Sequence, residues 1–234
     1  MSEGTTVTER NHIALHLAHR WFAFLEAPGG DLVSHLQMFH PQVRLSGHRG
    51  AHLFAKDHQT LIAWFNAVPD EISSHHIVHS SYSDGDNGEG LLSMVVAYQA
   101  PGESGVHGSI ISYETRIEFA PGAPQFIALD KTPILPNTKS GYETSWSTNR
   151  VLARVHAELG GIAGSDHGLR SKFGSDLRQV TAKVSAPEGS RSYEAFVTAI
   201  GDDPIRPIAV CLVMVDDVVS DLPTIDTIKM LVMS

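Results

Sequence analysis

Two stretches of the chain alternate between apolar and polar positions in the same way. Leu91–Gln99, Ser109–Phe119 and Gln125–Leu135 form one set, and Tyr193–Ile200, Ile208–Val218 and Thr224–Met233 the other, with Gly, Pro or Asp between the runs. An extended chain points successive side chains to opposite faces, so each set predicts three neighbouring strands with one buried side. Each set also follows a segment whose apolar residues return at helical spacing, Thr8–Leu25 and Thr148–Ile162. Lys131 and Lys229 stand at matching places in the last run of each set, 98 positions apart. The pattern predicts an internal repeat with a degenerate second copy.

The first half carries more elements than the second. Thr6 or Thr8 can cap the first helix, Glu9 adds a favourable first-turn charge, and Ala27-Pro28-Gly29-Gly30 stops it. A second helix is expected over Asp31–Phe39, capped by Asp31, and a third over Lys56–Val68, closed by Pro69. Val43–Leu45 alternates like a short strand, Gly47 and Gly50 mark a loop, and Ile72–Tyr82 reads as a strand ending in the turn Ser83–Gly88. In the second half only Gly164–Asp176 separates helix from sheet, which leaves one helix and one sheet. The fold class expected is α+β, a strongly curved antiparallel sheet wrapped around three helices as a cone, followed by the truncated copy. The domains are placed at 1–138 and 139–234, with the link Pro136–Gly141 as boundary.

Composition narrows the function. A net charge of −9 leaves no basic face for a phosphate backbone, so nucleic acid is not an expected partner. The single cysteine, Cys211, lies in an apolar run and reads as a buried, inert thiol. No apolar run is long enough to cross a bilayer and the first dozen residues are polar, so a cytoplasmic protein without membrane contact is expected. Nucleophile elbows and phosphate-binding glycine loops are absent from the sequence, and no cofactor is implied.

Four stretches carry a family likeness: Arg20–Glu26 at the end of the first helix, Phe39–Leu45, Ser73–Val78, and Arg116–Phe119 with Ala128–Lys131. In that order and spacing, residues 8–136 resemble the nuclear transport factor 2-like superfamily, in particular its SnoaL-like and scytalone-dehydratase-like branch. The resemblance implies a pocket between helices and sheet, and a histidine at the start of the strand that holds His75 and His76. It implies a second histidine near His107 and an acidic residue after the first helix, where Glu26 stands. It also implies sheet-mediated pairing, so residues 147–234 are expected to act as an intramolecular pseudo-dimer partner, and homo-oligomers are compatible with the family habit. Two positions depart from the relatives. Gly47 replaces the tyrosine of the dehydratase branch, and Gly47 and Ile110 stand near the places of the ketosteroid-isomerase carboxylates.

The residues themselves point to acid/base chemistry in the first half, which holds 12 of the 14 histidines. His75, His76 and His107, with Glu26 as base or orienting carboxylate, are the candidate catalytic set, and either His75 or His76 faces the pocket. On a strand alternate residues share a face, so His79 falls on the same side as His75. Trp21, Phe22, Trp64, Phe65, Tyr98 and Tyr113 are candidate walls for a small cyclic or hydroxylated ligand, and equally candidate core. His48, His52 and His58 approach metal-ligand spacing without an acidic or thiolate partner, so no metal is expected. Two functions stand side by side: a cofactor-independent lyase or isomerase, and a non-catalytic binding or assembly module whose histidines are structural.

Overall fold

The computed structural model describes residues 6–26, 32–67, 73–119, 122–139, 141–162, 168–174, 176–186, 190–216 and 221–231. The expected helix stop at 27–30, the cap Asp31, Pro69 and Ile72 lie outside these residues. The described chain is α+β, with two sheets and few helices. It divides into two compact units, Trp21–Trp146 and a second made of residues up to Arg20 together with those from Ser147 onward.

In the unit Trp21–Trp146 the last turns of α1 (Val7–Glu26) lead through a 3₁₀ segment (Leu32–Met38) to β1 (Phe39–Gly47) and β2 (His52–Ala55). Then come α2 (His58–Ala67), β3 (Ser74–Asp84), β4 (Glu89–Gly102), β5 (Gly105–Glu118) and β6 (Gln125–Thr138). Six strands are ordered β2-β1-β6-β5-β4-β3, all antiparallel except β1, which runs parallel to β6. The second expected helix is therefore a 3₁₀ segment, and the hairpin partner β2 joins what the sequence showed only as a short strand and a Gly loop. The shift is understandable because Gly50 with φ +80° and Arg49 and His48 with φ near +55° make the tight reversal that lets His52 return beside Gly47. Register shifts in β1–β2, β3–β4 and β5–β6 bend the sheet. Its inner face buries Leu92, Met94, Val96, Tyr113, Thr115, Ile117, Phe126 and Leu129.

In the other unit α3 (Trp146–Leu159) packs over β7 (Gln179–Ser185), β8 (Ser192–Ile200), β9 (Ile208–Val215) and β10 (Thr224–Leu231), with the short α4 (Leu169–Phe173) between. The sheet order is β10-β9-β8-β7, entirely antiparallel. β7, which the expected strands did not include, alternates exposed residues with half-buried Val180, Ala182 and Val184, which pack on the core of this unit. Val151, Val155 and Leu159 on α3 meet Tyr193, Ala195, Val197, Leu212 and Met214 in one core. Cys211 is a free, buried thiol in β9. The first part of α1 belongs to this unit. Thr6 and Glu9 form its capping box, Thr6 N–H donating to Glu9 Oε2 at 2.8 Å and Glu9 N–H to Thr6 Oγ1 at 3.2 Å.

Candidate functional site

The last turn of α1 and the first residues of β3 meet over the inner face of the six-stranded sheet. Helical spacing puts Phe22 and Glu26 on one side of α1, four residues apart, and both point at His75. Glu26 Oε1 collects three donors: the His75 backbone N–H at 2.8 Å, Ser145 Oγ–H at 2.7 Å, and His75 Nδ1–H at 3.2 Å. The His75 amide also reaches Ser145 Oγ at 2.8 Å. A carboxylate oxygen only accepts, so in this contact His75 Nδ1–H is the donor. Both side chains are almost fully enclosed, 6% exposed for His75 and 1% for Glu26.

Aromatic rings fix the imidazole plane. Phe22 stacks on His75 with ring centres 4.8 Å apart and planes 5° from parallel, and Tyr98 approaches edge-on at 5.3 Å. Tyr113 meets Phe22 at 5.4 Å, and burial pushes its phenol well above the ordinary tyrosine range, so it stays protonated. This is a carboxylate–imidazole pair oriented by a helix, a strand and a hydroxyl in an apolar setting, an arrangement suited to moving one proton.

The remaining expected site residues are dispersed. His76 points to the opposite face of β3, where Nε2–H donates to the Glu143 carbonyl at 3.1 Å. His79 does not share the face of His75, because the register shift between Ile77 and His79 pairs it with Val95, whose side chain is turned away from the inner face. It is exposed. His107 is exposed on β5, opposite Ala100, and its ring lies over Gly102, where a Cβ would come within 2.5 Å of it. Trp21 is buried against Phe39 and Phe24 as core, and the half-buried Phe65 meets Phe24. Trp64 and Phe54 flank the Lys131 ammonium at 5.3 and 5.5 Å, while burial lowers the lysine pKa. At Gly47 a side chain would strike the Phe54 ring at 2.7 Å, so Phe54 of β2 fills the space beside it. His58 Nε2–H donates to the Phe39 carbonyl at 2.9 Å. A cleft of about 340 Å³ lies at the β3–β4 turn, lined by Asp86, Asn87, Glu89, Leu91 and Arg116 among others, and none of the expected site residues borders it.

Ser145 escaped sequence reasoning, since nothing local in Thr144-Ser145-Trp146 marks a serine that closes on a carboxylate 119 positions earlier. No family model and no curated protein matches the sequence. Among solved structures the chain is similar to an uncharacterised protein with a cystatin-like fold from Caulobacter vibrioides, at 13% identity over 54% of this chain and 90% of that one, TM-score 0.44. It is also similar to a hexachlorocyclohexane dehydrochlorinase, at 9% identity over 57% and 93%, TM-score 0.47. A third is an NTF2-like protein of unknown function in nutrient uptake from Rhodospirillum rubrum, at 13% identity over 53% and 98%, TM-score 0.41. The last carries the superfamily name that the sequence resemblance supplied. These are likenesses of outline, and no activity follows from them. Among the described residues no helix is long and apolar enough to cross a membrane.

Proposed function

We propose that the unit Trp21–Trp146 is a cofactor-independent lyase or isomerase for a small cyclic or hydroxylated carbonyl compound, with His75 as the general base and Glu26 as its positioning carboxylate. The observation that carries this reading is the contact of Glu26 Oε1 with His75 Nδ1 inside a wall of Phe22, Tyr98 and Tyr113. Held in this tautomer, Nε2 takes a proton from the carbon next to a carbonyl. The C–H electron pair becomes the new double bond, and a β-hydroxyl leaves as water with the proton. Without a leaving group, the proton returns at another carbon and the result is isomerisation. Ser145 holds the carboxylate in place, so the base does not swing. Catalysis then needs only this pair, and His76 and His107 have no part in it.

A second reading is favoured by a separate observation. One carboxylate oxygen ties together the β3 amide, the Ser145 hydroxyl and the imidazole, which is also what a purely structural clasp would do in a ligand-binding or assembly module. Turnover decides between them. The wild-type protein is screened against hydroxylated cyclic ketones, and His75→Gln and Glu26→Gln are compared with it, with near-ultraviolet circular dichroism to confirm folding. The lyase reading expects a loss of kcat of at least about a hundredfold in His75→Gln with folding retained. Binding of such ketones with no turnover, or turnover that survives in His75→Gln, supports the clasp.

A further inference from the structure

Four histidines that the proposed chemistry does not use lie together in the other unit. His12, His16 and His19 recur at helical spacing on α1 and face Asn149, Ala153 and His156 on α3. All four imidazoles are buried, with exposures of 0%, 7%, 4% and 2% for His12, His16, His19 and His156. His16 Nδ1–H donates to the Ala153 carbonyl at 2.8 Å, and His19 Nδ1–H to Asn149 Oδ1 at 2.7 Å. His12 and His156 meet Nδ1 to Nδ1 at 2.9 Å, and His19 stacks on His156 with ring centres 5.6 Å apart.

We infer that this histidine seam is a pH-operated catch between α1 and α3, closed while the imidazoles are neutral and released when the seam takes up protons. The His12–His156 contact is the core of the argument. Only one proton fits between two Nδ1 atoms 2.9 Å apart, so one ring must donate and the other accept. Once both rings are imidazolium, each Nδ1 carries a hydrogen. The bond then becomes two like charges in contact, in a place from which water is excluded.

Charged groups of both signs flank the seam. On α1 the charged groups are Glu9, Arg10, Arg20 and the terminal Glu26, and on α3 Arg150, Arg154 and Glu158. Beyond the helices, Asp221 pairs with Arg20 at 2.6 Å, Asp216 with Arg150 at 2.8 Å, and Arg170 with Glu9. Arg154 Nε–H donates to the Pro223 carbonyl at 2.7 Å and feels the charge of Glu158. Burial holds His16 down at about 4, helped by Arg20 and Arg154, and outweighs the opposing pull of the Ala153 carbonyl and Asp221. His19 is likewise lowered to about 4, by burial first. His156 is driven below the ordinary imidazole range by burial and then by His12, His19 and His16. The free chain therefore takes up protons below about pH 6.5, whereas the closed seam resists them until near pH 4. Acid favours the open form.

Amide hydrogen exchange of the full chain between pH 8 and pH 5, corrected for intrinsic rates, reads the catch directly. Protection over residues 7–20 and 146–159 should fall by about tenfold or more between those pH values, while strands β4 and β5 hold theirs. His156→Gln cannot charge and should flatten that fall. Helix protection that tracks the strands at every pH overturns the proposal, and so does a His156→Gln variant with an undiminished fall. Should that variant fail to fold, histidine ring titration by NMR in the wild-type protein is decisive. Seam rings that protonate near pH 4–5 support the catch, and rings that protonate at 6.5 or above in the folded protein overturn it.

Discussion

The two units each bury histidine, but they give it different company. His75 has a carboxylate, Glu26, whose single oxygen accepts from ring, amide and serine. His12, His16, His19 and His156 have one another, an amide side chain and a backbone carbonyl. A carboxylate can balance an imidazolium charge, whereas a neutral oxygen can only accept the N–H. The first setting suits a proton that comes and goes during chemistry. The second suits an interface that holds only while protons stay away.

Removing the carboxylate breaks the comparison most severely. Glu26→Ala leaves the His75 ring and amide and the Ser145 hydroxyl without their common acceptor in a buried place, and the loss should be about 3–5 kcal/mol in urea denaturation. Acid acts on the other unit. The folded pKa values of His16 and His19, about 4, lie below the unfolded value of 6.5, so their contribution is complete above pH 6.5 and is lost as pH falls from there toward 4. Each gives up to roughly 3 kcal/mol across that window, measured as the urea midpoint against pH. Asn149→Asp sharpens the contrast by giving His19 a carboxylate of its own. The loss between pH 8 and pH 5 should then shrink by on the order of 1 kcal/mol. Thr6→Ala removes one half of the capping box of α1 and should cost about 1 kcal/mol, seen in the same assay. Arg116→Ala should change stability by less than about 0.5 kcal/mol, because the Arg116–Glu89 pair joining β5 and β4 is open to solvent.

The strands most visible in the sequence are those with one apolar face. β4, β5, β6, β8, β9 and β10 all lie within a few residues of their expected positions, since period-two alternation is a direct image of half-burial. β2 and β7 were not legible. β2 is four residues beside a tight reversal, and β7 offers only a short, half-buried row of Val180, Ala182 and Val184. The two Lys pairs offer a further thread. Tyr113 pairs with Lys131 in β5–β6, and Cys211 pairs with Lys229 in β9–β10, the same offset in both sheets. We propose on this register that residues 147–234 descend from a second copy of the first block. Inserting one residue into the β9–β10 turn would test whether that register matters. A fold indifferent to the insertion would weaken the idea.

Glu26 is named through the family resemblance and His75 through that and its histidine cluster, but their meeting could not be read, because 49 positions separate them. The bulge at Ile77–His79 also reverses His79, which alternation alone assigns to the side of His75. The spacing of His12, His16 and His19 was present in the sequence as a stripe, yet a stripe of polar rings on a helix reads equally as a wet face. Only the packing of α3 against it excludes water. Local order along this chain was thus set by hydropathy period and turn residues, which act over a few positions. Which imidazoles meet a carboxylate and which meet each other was decided by long-range packing, because a proton's cost depends on what surrounds it in space.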